Sequence, residues 1–311
     1  FVAEKPPYSI ALDGYVWGRP RFERKEENGR ILGPYANFNH HEEVDRLSTH
    51  ATCGQVSIAL KQGLLDTFRF NDEPHAYLHV NDPDQDTSLS VWLFRNYQRI
   101  LGGRSEPLIN RLVGAEDFLD VSAGAYPFDP QSDVMRELGW IFEPYTAVRS
   151  SGALYTMDAA QMRNVIDAVG HRISDYTLGK GQKITLKTDF ELLGGGDGWA
   201  LIKENGFAAR TALSHQGIKA FVAVKPTPSG TYGYSIGRIS PFIEFPLEVL
   251  YEKLNEAEGL QSNGPNCWGG GNTIGGSPRM TGSRLNPTEL TDIINNVLSE
   301  RRTHRVLVLP P

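Results

Sequence analysis

Short apolar runs alternate with longer stretches of helical spacing along the first half of the chain. "YSIALDGYVWG" (8–18) reads as a strand ending at Asp13-Gly14, and "HAYLHVNDPD" (75–84) as a strand running into an acidic loop. "THATCGQVSIALKQG" (49–63), "TSLSVWLFRNYQRIL" (87–101) and "EPLINRLVGAEDFLDVSAG" (106–124) carry helical apolar spacing, with Thr or Ser at a start or Gly near an end. Strands alternating with helices predict an α/β domain built on a mostly parallel sheet over residues 1–134. Residues 135–188 read as a helical connector, clearest in the amphipathic "DAAQMRNVIDAVGHRISDYTLGKG" (158–181). From 189 the pattern turns to strand signals with the turns "ENG" and "PSG". A helix, a glycine-rich loop and a last helix follow, which predicts a smaller α+β domain over 189–311.

Composition narrows the function classes. The 311 residues suffice for two domains with full cores, and a net charge of −6 argues against a general nucleic-acid or anionic-membrane binder. The two cysteines, Cys53 and Cys267, form no Cys-x-x-Cys pair, so a disulfide framework is not expected. No apolar run approaches about 20 residues. "FVAEKPPYSIAL" lacks the basic start and apolar stretch of a signal peptide and has no initiator Met, which suggests a trimmed chain. A cytoplasmic protein is the default expectation.

Metal-type ligands end several of the predicted elements. Asp13 closes the first strand, His40 and His41 stand in "NFNHHEEVDRLST" (37–49), and "HVNDPDQD" (79–86) offers His79, Asp84 and Asp86. "EDFLDVSAGAYPFD" adds Asp117 and Asp120. In an open α/β sheet, ligands gather outside the carboxyl ends of the strands, so these groups converge if their strands are neighbours. Carboxylates with a minority of histidines suit Mn²⁺ or Mg²⁺, one ion or two. Each residue also has a plain structural reading: Asp86 as the cap of the following helix, Asp13 as a turn residue, Asp120 as a helix-end cap. In the second domain, Gly270, Gly271, Gly275 and Gly276 allow close backbone approach to a phosphate. Arg279 and Arg238 offer forked donors there.

These stretches together resemble the DHH phosphoesterases with their DHH-associated C-terminal domain. "HVNDPDQD" is similar to the family's His-x-x-x-Asp-x-Asp motif with one extra residue, and Asn39-His40-His41 stands where the family has Asp-His-His. "GYSIGRIS" (233–240) resembles the strand carrying Ser-x-Arg, and "WGGGNTIGGSPRMTGSRL" (268–285) the glycine-rich substrate loop. The order of motifs differs: Asp13, His-His, Asp-x-Asp, Asp120, as if the first strand–helix unit had moved behind the His-His unit. The resemblance implies phosphoester hydrolysis by a metal-bound hydroxide, with His41 and Asp86 as catalytic groups. Asp13, His40, His79, Asp84, Asp86 and Asp120 would be the ligands. The implied substrate is small and phosphorylated: a nucleotide, cyclic dinucleotide, polyphosphate or short single-stranded oligonucleotide. No membrane partner is implied, and a homodimer is left open. The alternative is a catalytically degenerate nucleotide- or phosphate-binding sensor, or a structural subunit.

Overall fold

The structure is a computed structural model that describes residues 4–101, 105–262 and 264–306. Two compact units emerge: residues 1–121 with 131–185, and residues 122–130 with 186–311.

The first unit opens with β1 (Ser9–Leu12), β2 (Arg21–Glu27) and β3 (Arg30–Phe38). Helices α1 (Thr52–Lys61) and α2 (Leu64–Thr67) follow, then the two-residue strands β4 (Arg69–Phe70) and β5 (Glu73–Pro74), and β6 (Tyr77–His79). Helices α3 (Gln85–Arg95), α4 (Tyr97–Ile100), α5 (Pro107–Val121), α6 (Asp133–Ile141), α7 (Glu143–Ser151) and α8 (Ala159–Asp175) complete it. The main sheet has the order β2-β3-β1-β6. It is mixed where a mostly parallel sheet was expected: β1 runs parallel to β3 and β6, but β2 is antiparallel to β3. The cause is the Asn28-Gly29 turn, with φ of 52° and 69°, which folds β2 back on β3 as a hairpin.

Helix α3 is buried from Asp86 to Phe94, including the polar Asp86, Thr87, Ser88 and Ser90 as well as the apolar Leu89 and Val91–Phe94. Leu89 and Leu93 join Ile10, Leu12, Val56, Leu60 and Leu112 among the fully or almost fully buried side chains. The Trp92 indole N–H donates to Ser174 Oγ (2.9 Å), tying α3 to α8. Most of the stretch expected as a connector, up to residue 185, therefore belongs to this unit.

The second unit is α+β. Strands β7 (Phe190–Gly196), β8 (Trp199–Glu204), β9 (Ala220–Pro226), β10 (Tyr232–Arg238), β11 (Gly269–Gly270) and β12 (Ile274–Gly276) form one sheet. Its order is β11-β12-β10-β9-β8-β7. The "PSG" turn does close a hairpin between β9 and β10, but "ENG" leads into α9 (Ala209–His215), and β8 pairs parallel with β9. Strict alternation splits β9 between two cores. Ala220, Val222 and Val224 pack with Leu250 and Leu254 of α10 (Leu247–Glu258) and Ile294 of α11 (Pro287–Val306), while Phe221 and Ala223 pack with Leu213 of α9. Among the described residues no helix is long and apolar enough to cross a membrane.

Candidate metal centre

Three parallel strands of the first unit end on the same side of their sheet, and the polar groups that follow them meet there. Asp13 comes directly after β1 with φ of +48°, a strained conformation for a residue with a side chain. Its N–H donates to Phe38 O (2.8 Å), fixing it beside the end of β3. After β3 come Asn39, His40 and His41. After β6 the chain turns into α3, where Asp84 is the N-cap and Asp86 lies in the first turn. Asp120 arrives from the last turn of α5.

The resulting cluster is compact. His40 Nε2 lies 2.7 Å from Asp120 Oδ2, 3.3 Å from Asp13 Oδ1 and 3.8 Å from Asp86 Oδ2. His41 Nε2 is 2.7 Å from the same Asp13 oxygen. Two sets of donor atoms thus lie within 4.8 Å of one another, Asp13-His40-His41 and His40-Asp86-Asp120, sharing His40. A Mg²⁺ ion with bonds of about 2.1 Å spaces neighbouring donors by about 3 Å and opposite donors by about 4.2 Å, and the separations of 2.7–3.8 Å around His40 are of that order. His40 is 0% exposed, yet neither ring nitrogen makes a well-formed hydrogen bond, and Asp120 Oδ2 makes none either. An ion between them would give these poorly oriented donors and acceptors a common partner.

Asp86 is anchored from behind. Its carboxylate accepts the backbone N–H groups of Thr52 (2.7 Å) and Cys53 (2.6 Å), which are the first residues of α1. Asp117 accepts the N–H of Ala51 (2.6 Å). Helix α1 has Ala51 at its N-cap and so no cap of its own; two carboxylates from other helices take that place.

Charge is finely set here. Burial alone would lower His40, but the adjacent Asp120 carboxylate outweighs it and raises the imidazole to about 10. Burial pushes Asp86 up to about 7, and Asp120 and Asp13 add to the push. Burial would also raise Asp13, yet the His40 and His41 imidazoles against its carboxylate hold it well below the usual carboxylate range.

The remaining expected residues divide. Asp84 does what an N-cap does, accepting from Thr87 N–H (2.8 Å), and lies outside both donor sets; desolvation and the neighbouring Asp13 and Asp86 charges push its carboxyl group well up. His79 is apart from the cluster, with Nε2 on Ser9 Oγ (2.9 Å) and its ring 5.3 Å from that of Tyr15. Residues Val80 to Gln85 separate it from Asp86, and β6 ends with its ring turned to β1. In the second unit the glycines serve the backbone. A Cβ on Gly275 would fall 2.4 Å from Gly269 O, one on Gly276 2.5 Å from Tyr234 O, and one on Gly270 2.3 Å from Gly275 Cα. Gly270, Gly275 and Gly276 therefore permit the tight β11–β12–β10 edge, while Gly271 donates its N–H to Ile274 O (2.8 Å). Arg238 is buried and spends its guanidinium on Asn272 O (2.8 Å) and Ile243 O (3.2 Å); Arg279 is exposed beyond the hairpin.

No family model, curated protein or solved structure matches this chain.

Asn39 shows why an amide stands before the two histidines. Its Nδ2 donates to Gly18 O (2.9 Å) and Glu42 Oε2 (2.5 Å), and its Oδ1 accepts His41 N–H (3.0 Å). Asn37, two residues earlier on the same face of β3, donates to Gly18 O as well (3.1 Å). Only an amide both gives and accepts in this way. Asn39→Asp is expected to destabilise the fold by about 1–3 kcal/mol, because its new oxygen would face Gly18 O and Glu42. Chemical denaturation checks this, and an unchanged midpoint would refute the donor role.

Two further groups near the cluster gave little sign in the sequence. Glu116 is 2% exposed, and burial together with Asp120 and Asp86 pushes its carboxyl group well up. His50 Nδ1 is 2.6 Å from Asp117 Oδ2. Each is one polar residue in or before an apolar helix, and the pairing of His50 with Asp117 spans 67 positions.

Proposed function

We propose that the first unit is a divalent-metal-dependent phosphohydrolase acting on a small phosphorylated substrate. The observation that carries this reading is the convergence of Asp13, His40, Asp86 and Asp120 at the carboxyl ends of parallel strands, with His40 buried and poorly hydrogen-bonded among three carboxylates. Such a donor set suits Mn²⁺ or Mg²⁺. When bound, the ion supplies positive charge to phosphoryl oxygens and lowers the pKa of a water molecule.

The chain's own groups do the rest. Asp86 is held in place by the start of α1, and Arg46 fixes the end of α5 by donating to Asp120 O (2.9 Å). His41, half-exposed beside Asp13, is placed to touch a substrate oxygen. The resemblance to DHH phosphoesterases points the same way. Its altered motif order is no obstacle where neighbouring parallel strands bring the same residue types to one edge, because ligation depends on position in space. A net charge of −6 favours a small substrate over a long nucleic acid.

The test is Asp120→Asn, since the Asp120 side chain is 26% exposed and caps no helix. The wild-type chain with Mn²⁺ is expected to hydrolyse aryl phosphates, with activity lost to a chelator. The variant should lose at least about 100-fold while its circular dichroism stays unchanged. Turnover that is equal with and without Mn²⁺ would overturn the reading. Tight Mn²⁺ binding with no hydrolysis of any phosphate ester would instead indicate a binding protein.

A further inference from the structure

We propose that His50 and Asp117 form a proton-donating dyad at the rim of the metal centre, with His50 protonating the leaving oxygen; this rests on the phosphohydrolase reading above. A carboxylate only accepts, so the 2.6 Å contact from His50 Nδ1 to Asp117 Oδ2 assigns the proton to Nδ1. The other nitrogen, Nε2, belongs to a side chain that is 56% exposed. Asp117 is itself immobilised, because its second oxygen accepts Ala51 N–H at 2.6 Å and its side chain is only 12% exposed. Gly54 makes room for the pair: a Cβ there would lie 3.0 Å from His50 Cβ and 3.2 Å from Asp117 Cγ.

The dyad adjoins the centre through short links on two sides. Thr52, two residues after His50, donates to Asp86 Oδ2, and that oxygen is 3.8 Å from His40 Nε2. Asp117 and Asp120 are three apart on α5 and share a face of the helix. The other histidines of the region are engaged: His40 is buried among the carboxylates, and His41 Nε2 is turned to Asp13. Of these three, His50 has the most exposed side chain, 56% against 35% for His41 and 0% for His40.

In the step, a water oxygen forms a new bond to phosphorus and the bond from phosphorus to the leaving oxygen breaks. The electron pair of that bond stays on the leaving oxygen, which takes the Nε2 proton of the His50 imidazolium, protonated at both nitrogens, and leaves the neutral ring with its Nδ1–H on Asp117. The attacking water's proton passes to solvent, and solvent returns one to His50. Asp117 stays ionised throughout and acts as a positioning residue.

The experiment compares phenyl, 4-chlorophenyl and 4-nitrophenyl phosphates with the Mn²⁺-loaded chain. A general acid matters most for poor leaving groups, so His50→Gln is expected to lose about 100-fold in kcat on phenyl phosphate but no more than about threefold on 4-nitrophenyl phosphate. Asp117→Asn should shift the leaving-group dependence in the same direction by about tenfold, with His50→Gln retaining wild-type Mn²⁺ affinity. Because the His50 ring is largely exposed, its variant keeps the fold even where Asp117→Asn loosens α1. An equal loss on all three esters, or an unchanged leaving-group dependence in an active enzyme, would overturn the dyad alone. A Mn²⁺-loaded wild-type chain that cleaves none of the esters would overturn the phosphohydrolase reading and the dyad with it.

Discussion

Asp86→Ala is expected to abolish Mn²⁺ binding and to lower the unfolding free energy by about 3–5 kcal/mol, the range for breaking a buried charge pair. Asp86 is 1% exposed and does two tasks at once. Its removal strips the acceptor from two N–H groups at the start of α1, and it takes one of three carboxylates from around buried His40. Relief of repulsion with Asp13 and Asp120 offsets part of this. Adding Asp84→Ala removes the N-cap of α3 as well and should cost about 1 kcal/mol more. Urea unfolding of the metal-free proteins measures both. A loss below about 1 kcal/mol for Asp86→Ala would show that α1 does not depend on its borrowed cap.

Metal affinity should climb steeply with pH. Metal-free Asp86, raised from 3.8 to about 7, and His40, raised from 6.5 to about 10, both hold protons that a cation must displace. Below pH 7 two protons leave, so affinity should rise by up to about 100-fold per unit; between pH 7 and 10 one leaves, giving about tenfold per unit. The sign for stability follows from the same shifts. A group whose folded pKa is raised stabilises most below its ordinary value, and that contribution fades as pH passes the folded value. Asp86 therefore stops helping the metal-free fold as pH rises through about 7, and His40 as it rises through about 10. Asp13, shifted the other way, contributes steadily at neutral pH and fades only on strong acidification. The rise in melting temperature on adding Mn²⁺ should accordingly be larger at pH 8 than at pH 6. Isothermal titration across pH 6–9 checks the slope, and a flat affinity would rule out this proton linkage.

Much of the cluster was legible because strand-end chemistry leaves local marks. Asp13 and His40 follow the ends of β1 and β3, Asp86 opens the helix after β6 and Asp120 closes α5, and parallel pairing of β1 with β3 and β6 brings the first three together. The hairpin of β2 and β3 was harder to see. "RFERKEE" is mostly exposed and charged, with no buried face to impose alternation, although Asn28-Gly29 is a strong hairpin signal. Residue type does not reveal side-chain direction: Asp84 places one oxygen on Thr87 N–H at the start of its own helix, and His79 turns to Ser9. The glycine-rich stretch was ambiguous for a similar reason. A phosphate cradle and a close-packed hairpin both exclude Cβ atoms, and here Tyr234 O and Gly269 O occupy the space. His50 was invisible as a candidate since its partner lies 67 residues away on α5.

The borrowed cap of α1 also imposes an order on synthesis. Thr52 and Cys53 precede Asp86 by 34 and 33 residues, and Ala51 precedes Asp117 by 66. A nascent chain therefore emerges with an α1 whose leading amides have no side-chain acceptor until α3, and then α5, has left the ribosome. Isolated helices of ten residues are marginal in water, so the start of α1 settles late, together with the carboxylates that line the centre. A chain released before residue 117 carries Asp13, His40 and Asp86 with the contacts that fix them, but lacks Asp120 and the acceptor for Ala51 N–H.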